Sequence, residues 1–333
     1  MMKKIPGIGV IPAEYRDDLI SLKSGGNGFW KVGMSGVRAV LQPRDGKTEF
    51  IVFKDKTMAY VKSAMGYPAF YPLQEAEFTA PAEAVLMDLD GTSVRSESFW
   101  VWVIGQTTAR LLGNPKFVLS PEDEPHVSGH SVSEHLQYCI RKYAPGKKVE
   151  EARQYYFEIT RREMKEILEG RGRCEAFKPA PGLKEFLLAM KKHRVKIGLV
   201  TSGLYEKAWP EIMAVFRVMG LGNPLDFYDA IITAGYSIKK GQVGTLGELE
   251  SKPHPWLYAE TARVGLGIEA SGRCRVIGLE DSGAGVISLR LAGFAVIGIG
   301  GGNIVKSGAR PFLSGFCDSL LDSLPAILGR NRK

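Results

Sequence analysis

Short apolar runs recur from residue 84 onward, each ending abruptly at polar or glycine residues. They are "AVLM" before Asp88, "VKIGLV" before Thr201, "DAIITAG" around Ile231, "RVIGL" before Glu280 and "AVIGIG" around Ile297. Runs of this length without polar alternation suit strands buried on both faces, the habit of parallel sheets covered by helices. Helical patterns lie between them. "PGLKEFLLAMKKHR" carries Pro181 near its first turn, where proline is tolerated, and ends in a basic turn that suits the helix dipole. "KPHPWLYAETARVGL" and "GAGVISLRLAGF" repeat the alternation. The pattern predicts a doubly wound α/β core with a parallel, Rossmann-like sheet.

One connection is too long for that scheme. Between Asp88 and the strand ending at Val200 lie more than a hundred residues, against roughly 30 for an ordinary strand–helix–strand unit. The insertion reads as helical: "SESFWVWVIGQTTARLLG", then "SVSEHLQYCIRKYA" with a Ser131/Glu134 capping box, then "VEEARQYYFEITRREMKEILEG", where Ala152, Tyr156, Ile159 and Ile167 approximate one face. Residues 97–177 are therefore expected to form a helical accessory domain, with 81–96 and 178–310 as the α/β core and 311–333 as a C-terminal helix and tail. Residues 1–80 alternate short β-prone runs around an Asp45-Gly46 turn, a strong hairpin signal. They predict a small β-rich extension, read as a packing or self-association module, with substrate binding as the other reading.

Composition narrows the class. Of 333 residues, 44% are hydrophobic and 24% charged, and no apolar stretch approaches the roughly 20 residues of a membrane span. "MMKKIPGIGVIPAEYRDD" imitates a signal peptide only briefly, broken by Pro6 and Pro12, so a cytoplasmic location is expected. Cys139, Cys174, Cys274 and Cys317 are scattered, which argues for reduced thiols and against a structural zinc site. The net charge of +8 assists anionic ligands. Basic residues are not clustered on one face, so neither a nucleic-acid nor a membrane partner is expected. Oligomeric state is left open.

The chemistry gathers where the apolar runs stop. Asp88 and Asp90, two apart on a strand that opens into a loop, can share one site. Thr201-Ser202-Gly203, Lys252-Pro253 and Glu280-Asp281-Ser282 follow other runs or lead into helices. In an open α/β sheet ligands sit beyond the carboxyl ends of the strands. Four carboxylates collected there would repel one another, and a divalent cation resolves the conflict. Hard oxygen ligands in this number suit Mg²⁺, which commonly meets a phosphate as well. The set resembles a phosphoryl-transfer site, with a carboxylate nucleophile, a metal, a neutralising lysine and donors for phosphate oxygens. Plainer readings stand beside it. Asp88 and Asp90 could form an Asx turn, although a calcium loop would want Gly at Ser93 and Glu at Phe99. Thr201 and Ser202 could cap a helix, and Lys252 alone could be a solvated lysine.

"DLDGT", "VTSG", "SKPHP" and "GLEDSGAGV", in that order, resemble the four motifs of the haloacid dehalogenase superfamily, in particular its phosphatase and phosphoglucomutase-like members with a helical cap after the first motif. The resemblance spans residues 82–305. It implies that Asp88 attacks phosphorus to form an aspartyl-phosphate, and that Asp90 protonates the leaving oxygen and later takes a proton from water. It also implies that Thr201 and Ser202 hold phosphoryl oxygens, and that Lys252 offsets charge on nucleophile and phosphate. Mg²⁺ would be bound by the Asp88 carboxylate, the Asp90 carbonyl and Asp281, with Glu280 a ligand itself or a partner of one.

Other signals are weaker. His126, His130 and His135 lack zinc spacing. By analogy with relatives, the loop before the second cap helix helps choose the substrate, which makes Gly129, His130 and Ser131 specificity candidates. Trp100, with Phe99 and Trp102, could line the cleft or simply pack. Mutase relatives place a His about where Trp100 stands, which counts against mutase activity. "GIGGGN" at 298–303 departs from a dinucleotide fingerprint. The leading expectation is thus a Mg²⁺-dependent phosphatase of a small phosphorylated metabolite. A sugar-phosphate mutase and a catalytically silent binding module are the alternatives.

Overall fold

The computed structural model describes residues 4–62, 68–127, 132–247 and 249–329. Its chain begins with an antiparallel meander of five strands: β1 (Leu19–Leu22), β2 (Ala39–Pro43), β3 (Thr48–Val52), β4 (Thr57–Val61) and β5 (Ala69–Leu73). Asp45-Gly46 closes the β2–β3 hairpin, with Gly46 at φ +70° and the Asp45 carboxylate accepting from Lys47 N–H. Both faces of β3 are covered. Phe50 and Val52 point one way, with Leu41, Ala59 and Leu73, while Ile51 points the other, with Val37, Val40, Trp30 and Phe53.

The apolar runs then become β6 (Ala84–Asp88), β9 (Lys196–Val200), β10 (Ala230–Ile232), β13 (Val276–Glu280) and β14 (Ala295–Ile299); β7 (Val94–Arg95) and β8 (Lys178–Pro179) pair separately. β11 (Tyr236–Lys239) and β12 (Gln242–Thr245) add an antiparallel hairpin at one edge, and β15 (Gly315–Cys317) a parallel strand at the other. The eight-stranded order is β12-β11-β10-β9-β6-β13-β14-β15. Central strands β6 and β13 are buried along their whole length, as continuous apolar runs require. The helices are α1 (Glu97–Leu111), α2 (Val132–Tyr143), α3 (Val149–Leu168), α4 (Leu183–Lys192), α5 (Tyr205–Met219), α6 (Trp256–Glu260), α7 (Gly283–Leu291), α8 (Ile304–Ser307) and α9 (Leu320–Leu328). Among the described residues no helix is long and apolar enough to cross a membrane.

Two compact units result. One comprises residues up to Ser93, Pro181–Leu204 and those from Leu225 onward; the other comprises Val94–Ala180 and Tyr205–Pro224. Two assignments differ from the sequence reading. Gly315–Cys317, assigned to the tail, is a sheet strand. α5, assigned to the core, belongs to the helical unit. Its buried Ala208, Ile212, Val215 and Phe216 form an apolar face, it packs on α3, and Arg217 caps the α3 end by donating to the carbonyls of Ile167 (2.6 Å) and Leu168.

The N-terminal meander, in turn, is not a separate body. Its inner face shares one apolar cluster with the α/β core, where Phe50 meets Phe312 at 4.6 Å between ring centroids. Fully buried Asp18 is gripped by Arg310 through two hydrogen bonds, 2.6 and 2.8 Å, and also by Arg44. A carboxylate stripped of water needs such paired donors to remain charged.

Candidate active site

β6 lies between β9 and β13, and the registers pair Asp88 with Val200 and Met87 with Leu279. Asp88 and Glu280 therefore end their strands at one level, and Thr201 and Asp281 follow at the same edge. From β6 the chain steps out to β9 and β10 and then returns to the far side of β6 at β13. Such a reversal opens a crevice at the carboxyl ends of the strands.

Lys252 enters this edge from the loop before α6. Its Nζ donates to Asp88 Oδ1 and to Glu280 Oε1, the latter at 2.7 Å, and lies 4.9 Å from the centre of the Tyr258 ring. The side chains are nearly dry, 8% exposed for Lys252 and Asp88 and 0% for Glu280. Charges so placed interact far more strongly than on the surface. Glu280 Oε1 also accepts from the Tyr258 hydroxyl at 2.6 Å, and Oε2 accepts from Ser282 N–H (3.1 Å) and Oγ (2.9 Å). Four donors use up the acceptor positions of one carboxylate. Glu280 is thus occupied in fixing Lys252 and the loop after β13.

Charge states follow from this packing. Burial, then the negative charge of Glu280, pushes the Asp88 carboxyl well above its ordinary range, and Lys252 only partly counters them. Burial alone would depress Lys252, but Asp88 and Glu280 outweigh it and hold the ammonium protonated. Burial, reinforced by Glu280, raises Tyr258, which stays a neutral donor.

Half-buried Asp90 accepts from Thr201 Oγ1 at 3.2 Å, while Thr201 Oγ1 accepts from Gly203 N–H at 2.9 Å. Ser202 Oγ accepts from Lys252 N–H at 3.3 Å. These contacts bring Asp88, Asp90, Thr201, Ser202, Lys252, Glu280 and Asp281 to one edge.

Carboxylate oxygens of Asp88, Glu280 and Asp281 lie within 4.8 Å of one another, and with the Glu280 oxygens taken by its four donors, Asp88 and Asp281 are the ones left to face a cation. One ammonium among three buried acids leaves net negative charge, and hard oxygens suit a hard divalent cation. Glycine backbone packs directly against Asp281. A Cβ on Gly91, whose φ is +90°, would stand 2.1 Å from Asp281 Oδ2, and one on Gly302 would stand 2.3 Å from the same atom. The donor set, with a carboxylate that the packed glycine backbone holds in place, fits a metal ion.

Sequence reasoning missed several supports. Thr92 Oγ1 donates to Asp281 Oδ1 at 3.2 Å, Ser93 Oγ donates to the Asp88 carbonyl at 2.6 Å, and Gly283 N–H donates to Asn303 Oδ1 at 2.9 Å. Gly302 and Asn303 lie in "GIGGGN", so that glycine run supports the loop carrying Asp281. Thr92 and Ser93 adjoin a motif already singled out, whereas Tyr258 had no sequence signal beyond its place on a helix after Lys252.

A family model described as haloacid dehalogenase-like hydrolase matches residues 85–233, which include Asp88, Asp90, Thr201 and Ser202. That segment is haloacid dehalogenase-like hydrolase sequence. Lys252, Glu280 and Asp281 lie beyond the matched segment and join this hydrolase site through the fold. Solved structures share the architecture. A predicted phosphoglycolate phosphatase from Haemophilus somnus is 16% identical, covering 74% of this chain and 99% of its own, with a TM-score of 0.57. A family IA hydrolase from Entamoeba histolytica is 18% identical, covering 74% and 98%, at 0.54. A provisionally assigned β-phosphoglucomutase from Thermotoga maritima is 19% identical, covering 74% and 98%, at 0.52. Among curated proteins none matches.

The remaining candidates lie in the helical unit of this hydrolase. Trp100 packs against Phe99 (4.9 Å) and Phe177 (6.4 Å), with Lys207 Nζ 4.0 Å from its ring centre. Gly129, His130 and Ser131, and with Ser131 the expected capping box, lie outside the described residues.

Proposed function

We propose that the chain is a Mg²⁺-dependent phosphatase that hydrolyses a small phosphorylated metabolite through an aspartyl-phosphate at Asp88. The observation that carries this reading is Lys252 Nζ bridging Asp88 and Glu280 at the strand edge where Asp281 also sits. Mg²⁺ held by Asp88, Asp281 and the Asp90 carbonyl would supply positive charge to the carboxylates and the phosphate.

The protein's own groups do the rest. Asp88 Oδ attacks phosphorus as the ester bond breaks, and the leaving oxygen takes the proton of Asp90. Asp90 then accepts a proton from the water that splits the aspartyl-phosphate. Thr201 Oγ1 can turn its proton from Asp90 toward a phosphoryl oxygen, and Ser202 lies one residue on. Lys252 holds Asp88 in place and offsets phosphate charge.

The test is hydrolysis of p-nitrophenyl phosphate with and without Mg²⁺. Asp88→Asn is expected to lower kcat by at least about 10³-fold with the thermal midpoint retained. Unchanged turnover in that variant overturns the assignment. A screen of released phosphate that includes phosphoglycolate and hexose phosphates, with product analysis for isomerised sugar, separates hydrolysis from mutase chemistry.

A further inference from the structure

The N-terminal meander lies outside the segment that matches the family, yet it touches the loop carrying Lys252. The Tyr71 hydroxyl on β5 is 2.8 Å from His254 Nδ1, two residues past Lys252, and the two rings meet edge to face at 5.8 Å. Trp256, the first residue of α6, lies edge-on to Tyr71 at 6.2 Å between ring centroids. With Nδ1 unprotonated, the Tyr71 O–H donates to it.

His254 is only 2% exposed, and burial lowers its pKa, so the ring is neutral and Nδ1 can accept. The loop is held elsewhere by the core itself. Ser288 Oγ on α7 donates to the His254 carbonyl at 2.6 Å, and Lys252 N–H donates to Ser202 Oγ at 3.3 Å. α7 in turn packs against β5, and Arg290 on α7 donates to the carbonyls of Gly7 and Gln74. A loop pinned at Lys252 N, at the His254 carbonyl and at the His254 ring has little freedom to shift the ammonium between them.

We propose that the β-meander acts as a positioning element for catalysis, with the Tyr71–His254 hydrogen bond fixing the loop that presents Lys252 to Asp88 and Glu280. The inference rests on the phosphatase reading of Asp88 and Lys252. Tyr71 and His254 are positioning residues, since what they influence is the placement of the lysine. A misplacement of about 1 Å away from the chemistry can lower a rate by about 100-fold.

The test uses the full chain, after wild-type hydrolysis of p-nitrophenyl phosphate and its loss in Asp88→Asn have been established. Absence of wild-type activity would count against the phosphatase reading and is thereby separated from the present one. Tyr71→Phe keeps the ring and removes the hydroxyl. It is expected to lower kcat by about 10-fold or more, with KM within about threefold and the thermal midpoint unchanged. His254→Asn, which can offer an acceptor oxygen near the place of Nδ1, is expected to retain most activity. His254→Leu should fall as far as Tyr71→Phe, and the double variant Tyr71→Phe/His254→Leu should be no slower than either single one. Wild-type kcat in a folded Tyr71→Phe, or full additivity in the double variant, overturns the proposal. Should His254→Leu fail to fold, the Tyr71→Phe and His254→Asn pair decides alone.

Discussion

Asp281 depends on what its neighbours lack. Gly302 presses so close that a Cβ would stand 2.1 Å from the Asp281 carbonyl oxygen and 2.3 Å from Oδ2. Gly302→Ala must push that carboxylate or its loop aside. We expect the Mg²⁺ concentration for half-maximal activity to rise by about 10- to 100-fold, the range found when groups supporting a metal ligand are lost. A Mg²⁺ titration of phosphatase activity, with circular dichroism as the fold control, checks it. An unchanged titration would mean that the loop relaxes around the methyl group. Such residues were hard to read in advance. Asp88, Asp90 and Asp281 announce themselves as charged groups where apolar runs end, and Lys252 as the cation leading into a helix, but Gly302 acts by the absence of a side chain in a segment about 20 positions beyond Asp281. Only the parallel neighbours β13 and β14 bring the two loops together.

At the scale of elements, the helical unit carries a buried carboxylate with a hydrogen-bond cluster of its own. Asp123, in the 3₁₀ turn Pro121–His126, ties that turn to the second half of α2 by accepting from Tyr138 (2.7 Å), Lys142 (2.6 Å) and Tyr143 (2.5 Å). Burial would raise its pKa, yet the hydrogen bonds from Lys142, Tyr143 and Tyr138 outweigh it and hold the carboxyl far below its ordinary 3.8. A depressed acid stabilises the fold fully above its unfolded value and loses that contribution as pH falls through the folded one. Asp123→Asn should therefore lower the thermal midpoint by several degrees at pH 7, with the gap to wild type closing below about pH 3.8. Melting curves across pH measure it, and a gap independent of pH would refute it. The amphipathic periods of α2 and α3 made these helices legible, down to buried Ala152, Tyr156, Ile159 and Ile167. α5 escaped notice because Pro210 interrupts its pattern, and its membership of the helical unit depends on packing against α3, which no local signal encodes.

Over the whole molecule, the meander and the α/β sheet share their apolar interior, so each is a condition for the other. Truncating the fully buried ring in Phe50→Ala should cost about 3–5 kcal/mol. We expect one denaturant transition shifted as a unit rather than early loss of the meander alone, followed by near-ultraviolet circular dichroism and by activity together. A phosphatase that survives intact after the meander has melted would contradict this. The strand runs and the hairpin turn were readable from residue patterns, since burial dictates them locally. That the meander docks on the core was not, because its partners lie near the other end of the sequence.

That separation also has a history in time. Asp18 and Arg310 stand 292 positions apart, and a ribosome adding about 5–20 residues per second needs roughly 15–60 s to travel between them. During that interval the nascent meander has been made while Phe312 and Arg310 do not yet exist. How long its sticky inner side stays uncovered is therefore set by the pace of translation, and a holding chaperone would find its target there.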